Sequence, residues 1–302
     1  SSIIPVFDGH NDVLLRLRRD GLNSVNAFLN GEAAGHIDLP RARRGGLAGG
    51  LCAVFIPSPD QPRDGNGDFP APSQPQALNE TLAMFRLLLA IEAQSDGAVK
   101  VCRSANDIRS SIADGRFAAV FHIEGAEAIA ADLDALHVLH QAGLRTLGPV
   151  WSRPNVFAYG VPFRFPSTPD IGPGLTDAGK DLIRACNELR IMIDLSHMNE
   201  QGFWDIARLS KAPLVASHSN AHAISPHSRN LTDKQLDAIR DTGGLVGINF
   251  GGVFLRGGGV RNACTPIALL VRYLPYIAER IGLGHVALGS GFDGPHIPPS
   301  SG

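Results

Sequence analysis

The chain lacks a strong excess of charge of either sign. It has 302 residues, with 27 Lys and Arg against 29 Asp and Glu, and a formal net charge of −2 at pH 7. This balance excludes a bulk attraction to phosphate backbones or anionic lipid. The one basic cluster, Arg41, Arg43 and Arg44, has no interleaved aromatic residues, which a nucleic-acid groove would need. We therefore predict neither a nucleic-acid partner nor a membrane partner.

Cysteines and long apolar runs are also scarce. The four cysteines are far apart and show no C-x-x-C spacing, so we predict buried free thiols at Cys52, Cys102, Cys186 and Cys264. No apolar run approaches the roughly 18 residues of a membrane span, and neither end resembles a signal peptide. These absences favour a soluble, cytoplasmic protein.

The chain does contain short apolar runs that alternate with longer segments of helical period. Hydrophobic residues make up 44% of it, enough for one large core. The alternation is typical of repeated βα units around a parallel sheet, and eight units close most naturally as a TIM (β/α)8 barrel. We predict this α/β fold as a single domain over residues 1–302. The eight predicted strands are Ile3–Asp8, Leu51–Ile56, Phe117–Ile123, Leu144–Leu147, Ile191–Leu195, Pro213–Ser217, Gly244–Phe250 and His285–Gly289.

Polar capping residues mark where two of the predicted helices begin. Ser104 stands three residues before Asp107, and Thr232 stands three residues before Gln235 in a capping-box arrangement. Both pairs are ordinary structural signals. Other helices are predicted within Gln76–Gln94, Leu133–Gln141, Thr176–Leu189, Glu200–Leu209 and Pro266–Ile281.

Two features depart from a regular barrel. The connections Pro57–Pro75 and Gly148–Gly174 are long and Pro-rich, and each is either a lid or substrate wall or an inert surface excursion. Only thirteen residues follow the eighth predicted strand, Ser290–Gly302, with three prolines and no helical pattern. We therefore expect a barrel that lacks its last helix, with apolar surface at the gap either exposed or covered by a partner.

Metal-ligating residue types stand where four of the predicted strands end. His10 and Asp12 follow the first strand at a spacing that sends both side chains to the same side of an extended segment. Glu124 follows the third strand, His197 the fifth and His218 the sixth. Each residue alone is more often structural than a ligand. Because catalytic groups of a barrel gather at the carboxyl ends of its strands, the five together predict a metal site.

Five protein ligands exceed the three of an ordinary catalytic zinc site. Two divalent metal ions, zinc by ligand type, account for the number. His10 and Asp12 would hold one ion, His197 and His218 the other, and Glu124 would bridge them. A water between two cations has a lowered pKa and becomes a hydroxide nucleophile at neutral pH. The pattern thus predicts a binuclear metal-dependent hydrolase.

These motifs resemble those of the renal, or membrane, dipeptidase family, a branch of the amidohydrolase-like barrel metallopeptidases, and most of all its soluble bacterial members. The likeness runs from about Ile4 to Pro295. It implies the same five metal ligands, hydrolysis of dipeptides that often carry a C-terminal D-residue, and, more weakly, a homodimer. The matching segments are Asp8-Gly9-His10-Asn11-Asp12, Glu124-Gly125, Asp194-Leu195-Ser196-His197, Ser217-His218-Ser219-Asn220-Ala221 and Ser228-Arg229-Asn230-Leu231-Thr232-Asp233.

The same resemblance implies a substrate-binding residue. An arginine at the position of Arg229 binds the terminal carboxylate of the substrate in the family, a task that suits a bidentate guanidinium. The alternative is that Arg229 only supports the loop before the helix that begins near Thr232.

Two positions depart from the family pattern. Gly291 stands where the family has its acid/base aspartate, and Asp293 would need a shift in register to replace it. Trp151 stands where many relatives have a histidine that polarises the scissile carbonyl, although bacterial relatives share the tryptophan. Tyr159 lies near a later histidine of those relatives and is either a hydrogen-bond donor or a packing residue. We therefore assign no catalytic acid or base.

Three functions remain open from the sequence. The leading one is a zinc dipeptidase in which a metal-bridged hydroxide attacks the amide and Arg229 anchors the small dipeptide substrate. The second is a metal-binding relative with impaired catalysis, since loss of an acid/base carboxylate commonly costs ~10² to 10⁴ in rate. The third is a barrel amidohydrolase acting on a lactone or cyclic amide, which shares the metal ions but has no need of Arg229.

Overall fold

The chain adopts an α/β fold with a curled parallel sheet, seen in a computed structural model that describes residues 4–21, 23–31, 35–259 and 265–294. The strands are β1 Val6–Asn11, β2 Leu47–Phe55, β3 Val99–Val101, β4 Phe117–Glu124, β5 Leu144–Gly148, β6 Met192–Ile193, β7 Val215–Ala216, β8 Leu245–Asn249 and β9 Val286–Gly289. One sheet has the order β1-β2-β4-β5-β6, with β3 paired to β4, and the other has the order β7-β8-β9.

The strand register brings the polar strand ends to one level. β4 is buried at all eight positions, as its nearly continuous apolar sequence predicts for a strand covered on both faces. Its last residue, Glu124, pairs with Phe55 on β2 and with Gly148 on β5. Because all these pairings are parallel, the connections after β2, β4 and β5 leave the sheet on the same side.

Two isolated parallel bridges lie between the two sheets. Asp194, just after β6, pairs with Val215 on β7, and Asn11 on β1 pairs with Phe292, just after β9. At the second bridge, the amide of Gly291 donates to the carbonyl of His10 at 2.8 Å. These contacts join the first and last strands of the described chain.

The helices pack around the sheet and bury a large apolar core, and a second, smaller apolar cluster consists of Leu51, Cys102, Ala118 and Val120. Ser104 caps its helix by accepting a hydrogen bond from the Asp107 amide at 3.1 Å, and the amide of Thr232 donates to Gln235 Oε1 at 2.8 Å, as the capping pattern predicts. The helices are α1 Val13–Asp20, α2 Ser24–Asn30, α3 Leu39–Gly45, α4 Gln74–Gln94, α5 Ala105–Ala113, α6 Asp134–Ala142, α7 Asp177–Leu189, α8 Glu200–Leu209, α9 Asp233–Asp241, α10 Gly252–Leu255, α11 Ile267–Val271 and α12 Tyr273–Ile281.

Several elements differ from the sequence prediction. The extra strand β3 and the three helices between β1 and β2 were not predicted, and the predicted helix Pro266–Ile281 is two helices, α11 and α12. The predicted fifth and sixth strands shorten to two residues each. The reason is that the carboxylate of Asp194 accepts hydrogen bonds from the amides of Ser196 and Ser217, which a longer ladder would use.

The cysteine prediction is confirmed for the described residues. Cys52, Cys102 and Cys186 are buried free thiols, whereas Cys264 lies outside the described residues. The predicted absence of a final helix also falls on residues outside them, 295–302. No helix in the described ranges has both the length and the apolar character needed to cross a membrane.

Candidate metal centre and substrate cavity

The five residues predicted as metal ligands converge at the carboxyl ends of the strands. His10 is on β1, Asp12 is the first residue after that strand, and Glu124 is the last residue of β4. His197 and His218 follow the short strands β6 and β7. None of the five is more than 5% exposed. Strands far apart in the sequence therefore deliver buried imidazoles and carboxylates to one place.

The carboxylate of Glu124 lies at the centre of this cluster. Its Oε1 atom is 2.9 Å from His197 Nε2, 3.2 Å from His218 Nε2 and 3.6 Å from His10 Nε2. His10 Nε2 is also 3.6 Å from Asp12 Oδ2, and the Nε2 atoms of His197 and His218 are 3.2 Å apart. Three imidazole nitrogens thus face a single carboxylate oxygen.

This donor set fits a divalent cation. Within the described residues, ligand atoms of His10, Glu124 and His218 lie within 4.8 Å of one another. Asp12 Oδ1 is buried and has no hydrogen-bond partner there, so the protein alone does not satisfy it. Mixed imidazole and carboxylate ligands suit zinc and related ions.

Burial dominates the electrostatics of the cluster. It raises the pKa of Glu124 to about 8, and it holds the pKa values of His197 and His218 well below their usual range, with further help from the charge of Arg229. For His10, burial lowers the pKa, but the charges of Glu124 and Asp12 outweigh it and raise the value to about 9. His197 and His218 are therefore neutral at pH 7, the form in which imidazole binds metals.

Serine hydroxyl groups lie within hydrogen-bond distance of the Nδ1 atoms of His197 and His218. His197 Nδ1 lies 2.7 Å from Ser152 Oγ, and His218 Nδ1 lies 2.9 Å from Ser217 Oγ. Such partners orient a ligand imidazole and select the tautomer whose other nitrogen is free to bind. Sequence reasoning did not assign a role to either serine.

Asp194 is the buried carboxylate behind this arrangement. It accepts hydrogen bonds from the amides of Ser196 at 3.0 Å and Ser217 at 2.8 Å, and from Ser217 Oγ at 2.5 Å. His122 Nε2 lies 3.4 Å from Asp194 Oδ2, the oxygen that accepts from Ser217 Oγ. Burial alone would raise the pKa of Asp194, but the nearby His122 and the hydrogen bonds from Ser217 lower it below its usual value. Asp194 thereby fixes the residues that precede both His197 and His218.

His122 lies within β4, and ligand atoms of His10, His122 and Asp194 lie within 4.8 Å of one another among the described residues. His122 is fully buried, and its Nδ1 atom lies 2.9 Å from Thr146 Oγ1. Desolvation lowers its pKa to about 4. The signal that could have identified its partner is Asp194 itself, a carboxylate three residues before a predicted ligand in an otherwise apolar strand.

Arg229 lies behind His218 and is 3% exposed. One edge of its guanidinium donates to Ser219 Oγ at 2.6 Å and to the His218 carbonyl at 2.9 Å. Its Nε atom has no hydrogen-bond partner among the described residues, and its Cζ atom lies 5.9 Å from the Phe254 ring. Burial lowers the pKa of Arg229 to about 10, against the opposing charges of Glu124 and Asp194. The charge therefore persists at neutral pH.

The five converging residues line a cavity of about 650 Å³. This size is within the range of small-molecule sites. Apart from those five, its walls are largely apolar, with aromatic side chains from β2, the long connection after β5 and α10, namely Phe55, Trp151, Phe163 and Phe254. Arg229 does not itself line the cavity, but Phe254, which its guanidinium faces, does.

The two long connections meet beside this cavity. The ring of Phe69, from the first connection, lies 5.0 Å from Trp151 and 5.9 Å from Phe163, both in the second. The hydroxyl of Tyr159 donates a short hydrogen bond to the carboxylate of Asp68. Trp151 thus forms part of the cavity wall, whereas the hydroxyl of Tyr159 ties the two connections together.

Gly291 and Asp293 lie at the rim next to β1. Gly291 lines the cavity with φ of 64°, a left-handed conformation. Asp293 also lines the cavity, but its carboxylate accepts from the Ile37 amide at 3.3 Å and pairs with Arg16 Nε at 3.1 Å. The Asp293 carboxylate is therefore engaged by Ile37 and Arg16 at this edge of the cavity.

Comparison with known proteins gives a family match over nearly the whole chain. The model of the family described as membrane dipeptidase (peptidase family M19) matches residues 2–301. The chain is 44% identical, over 92% of its length and 90% of the relative, to the Acinetobacter calcoaceticus protein called the uncharacterized protein in the PQQ-III 3′ region. It is 27% identical to the dipeptidase tcpJ of Claviceps purpurea (strain 20.1), over 95% of this chain and 65% of the relative.

A solved structure shows the same similarity in three dimensions. It is a metallo peptidase from Rhodobacter sphaeroides, liganded with a phosphinate mimic of the dipeptide L-Ala-D-Ala. The match has a TM-score of 0.93 and 52% sequence identity, and it covers 98% of this chain and 88% of the other.

Proposed function

The chain belongs to the membrane dipeptidase family, peptidase family M19, and we propose that it is a dipeptidase that works with two divalent ions, zinc by ligand type. In this proposal His10, Asp12 and Glu124 hold one ion, and Glu124, His197 and His218 hold the other. The observation that carries it is the position of Glu124 Oε1, within 3.6 Å of three imidazole nitrogens, one from β1 and two from the segments that follow β6 and β7.

The proposed substrate is a small dipeptide, including one with a C-terminal D-residue. The cavity of about 650 Å³ supports this size, and the relative from Rhodobacter sphaeroides binds a mimic of L-Ala-D-Ala. The guanidinium of Arg229 would attract the terminal carboxylate, since its Nε atom has no hydrogen-bond partner among the described residues and its charge is buried.

The other roles in the proposed hydrolysis belong to a bound metal and to several residues of this chain. Bound divalent ions would supply an activated water and polarise the scissile carbonyl. Glu124 and the neutral imidazoles of His197 and His218 would hold a divalent ion, and Asp194 with Ser152 and Ser217 would orient these imidazoles. With a dipeptide bound, the aromatic walls would shield the amide from bulk water, which would strengthen electrostatic interactions inside the cavity.

A weakened catalyst is the second candidate function, and Gly291 is the observation that favours it. This residue lines the cavity without a side chain at the position where the family resemblance implies an acid/base aspartate. The carboxylate of Asp293 is engaged by the Ile37 amide and by Arg16 Nε. In this reading the chain binds metal and dipeptide but turns the dipeptide over slowly.

We also propose that residues 1–302 form one domain, a closed (β/α)8 barrel. Eight strands remain when β3 is set aside, and the bridges Asp194–Val215 and Asn11–Phe292 join the two sheets at both edges. A closed barrel explains why ligands from β1 and from the connection after β7 meet.

The experiment combines metal analysis with a dipeptide assay. The purified chain, loaded with zinc, is offered a panel of L,L and L,D dipeptides, and the same is done for His197→Ala. Exposed His137 on α6 provides the matched control, His137→Ala. We expect hydrolysis by the native chain and the control, with loss of metal and activity in His197→Ala. Absence of hydrolysis in both the native chain and Gly291→Asp would refute a dipeptidase.

A further inference from the structure

Arg153 is a fully buried cation with no part in the proposed chemistry. It is 0% exposed and is the largest of the fully buried side chains in the described chain. Its Nε donates to Glu127 Oε1 at 2.7 Å, its Nη1 to Ser58 Oγ at 2.8 Å, and its Nη2 to the Ile56 carbonyl at 2.7 Å. All three nitrogens of the guanidinium therefore have partners.

These partners belong to separate connections at the carboxyl ends of neighbouring strands. Ile56 and Ser58 begin the long connection after β2, Glu127 lies in the short 3-10 helix after β4, and Arg153 lies in the connection after β5. A planar guanidinium has donors in a fixed fork, so its bonds set both distance and orientation. One side chain thus joins three of the connections that surround the cavity.

The same guanidinium also lies close to two aromatic rings of the cavity wall. Arg153 Cζ is 5.3 Å from the centre of the Trp151 ring and 5.6 Å from that of Phe55. These two rings are 5.0 Å apart, and both line the cavity. Trp151 in turn lies 5.7 Å from the ring of His197. Arg153 therefore supports from behind the wall that a substrate would meet.

Glu127 compensates the buried charge of Arg153 and is itself tightly packed. It is 6% exposed, and a Cβ atom added at Gly125 would lie 2.5 Å from its Oε2 atom. Gly125 has φ of 88°, in the positive range that favours glycine. The fit places the Glu127 carboxylate against the backbone that directly follows Glu124.

We propose that the Arg153–Glu127 pair is a positioning element of the substrate cavity, which sets the place of the Phe55–Trp151 wall and hence the binding of the substrate without touching it. This inference rests on the proposed function, because it takes the cavity as the dipeptide site. It assigns the pair to substrate binding and not to metal binding, since neither residue is among the five converging ligands.

The two tryptophans of the chain allow a test that needs no activity. They are Trp151 in the wall and Trp204 on α8, so in a Trp204→Phe background the emission comes from the wall alone. Arg153→Lys keeps the charge but loses the fork. We expect its Trp151 emission to move to longer wavelength and its quenching by acrylamide to increase. Arg184→Lys is the matched control, because Arg184 pairs with Asp181 at the exposed surface.

Kinetics and metal content separate positioning from a merely structural role. In Arg153→Lys we expect KM for a cleaved dipeptide to rise about tenfold or more while kcat changes less than about threefold. Bound metal should equal that of the Trp204→Phe parent. If Arg153→Lys does not fold, Glu127→Gln carries the same test, since it preserves the volume of the side chain and removes only the charge.

Distinct results separate this proposal from the proposed function. Unchanged Trp151 emission and quenching in a folded Arg153→Lys variant would overturn the positioning role, as would loss of metal or an equal fall in kcat and kcat/KM. If the native chain cleaves no dipeptide, the proposed function fails, but the emission measurement still decides whether the pair holds the wall.

Discussion

Replacing Asp194 by asparagine is expected to weaken metal binding while the fold is preserved. Asparagine has nearly the same shape, and its single oxygen can still accept from the amides of Ser196 and Ser217. Its NH2 group would then face Ser217 Oγ, which in the native chain donates to Asp194 at 2.5 Å. The hydroxyl of Ser217 would lose its acceptor.

The substitution would also change the hydrogen bond between Ser217 and His218. With Asp194 as acceptor, Ser217 Oγ is free to accept from His218 Nδ1, 2.9 Å away, which leaves the Nε2 lone pair for a metal. With asparagine, Ser217 would donate to Nδ1 and favour the tautomer with a proton on Nε2. Substitutions in such outer partners commonly reduce metal affinity by about 10-fold to 100-fold.

The assay is competition for zinc against a chromophoric chelator, with thermal unfolding in EDTA as a check on the metal-free fold. The loss of one charge-assisted hydrogen bond should lower stability by about 1.5–3 kcal/mol. Asp181→Asn, at an exposed side chain, is the matched control and should bind zinc as the native chain does. A folded Asp194→Asn protein with zinc affinity within twofold of the native value would refute this reasoning.

Three further results are expected. Arg229→Ala should raise KM for dipeptides strongly, because its charge would anchor the terminal carboxylate, and unchanged turnover would favour a lactone or cyclic amide substrate. Gly291→Asp should raise kcat by ~10² to 10⁴ if the missing carboxylate limits the rate, and no increase would show that it does not. Zinc affinity should increase from pH 6 to pH 9, because protons compete with the metal for Glu124 and His10 at lower pH. Burial raises the pKa of Glu124 to about 8, and the charges of Glu124 and Asp12 outweigh burial and raise the pKa of His10 to about 9. Isothermal titration at each pH would measure the zinc affinity, and a flat profile would contradict this prediction.

The strand-end residues could be predicted because they follow apolar runs, and such a run is recognised as a strand from neighbouring residues alone. Phe117–Ile123 is almost entirely apolar, and the carboxylate that follows it stands out as a residue at the sheet's edge. The helix starts at Ser104 and Thr232 were predictable for the same reason, since a capping pair spans only three residues. Such signals need no knowledge of distant contacts.

The supporting contacts could not be predicted because they join distant segments. Arg153 binds residues more than ninety positions earlier, and its own local sequence is an ordinary Pro-rich loop. The hydroxyl of Tyr159 meets Asp68 only because two long connections fold over the same face. By contrast, the break between α11 and α12 at Arg272 has a local signal, because Pro275 in the first turn of α12 has no N–H to donate to the carbonyl of Val271.

The most direct measurement of the proposed metal centre is anomalous diffraction at the zinc edge from crystals of the zinc-loaded chain. Two peaks are predicted on either side of the Glu124 carboxylate, one beside His10 and Asp12 and the other beside His197 and His218. A single peak would contradict the two-ion site. The absence of any peak within bonding distance of Glu124 would contradict the metal centre itself.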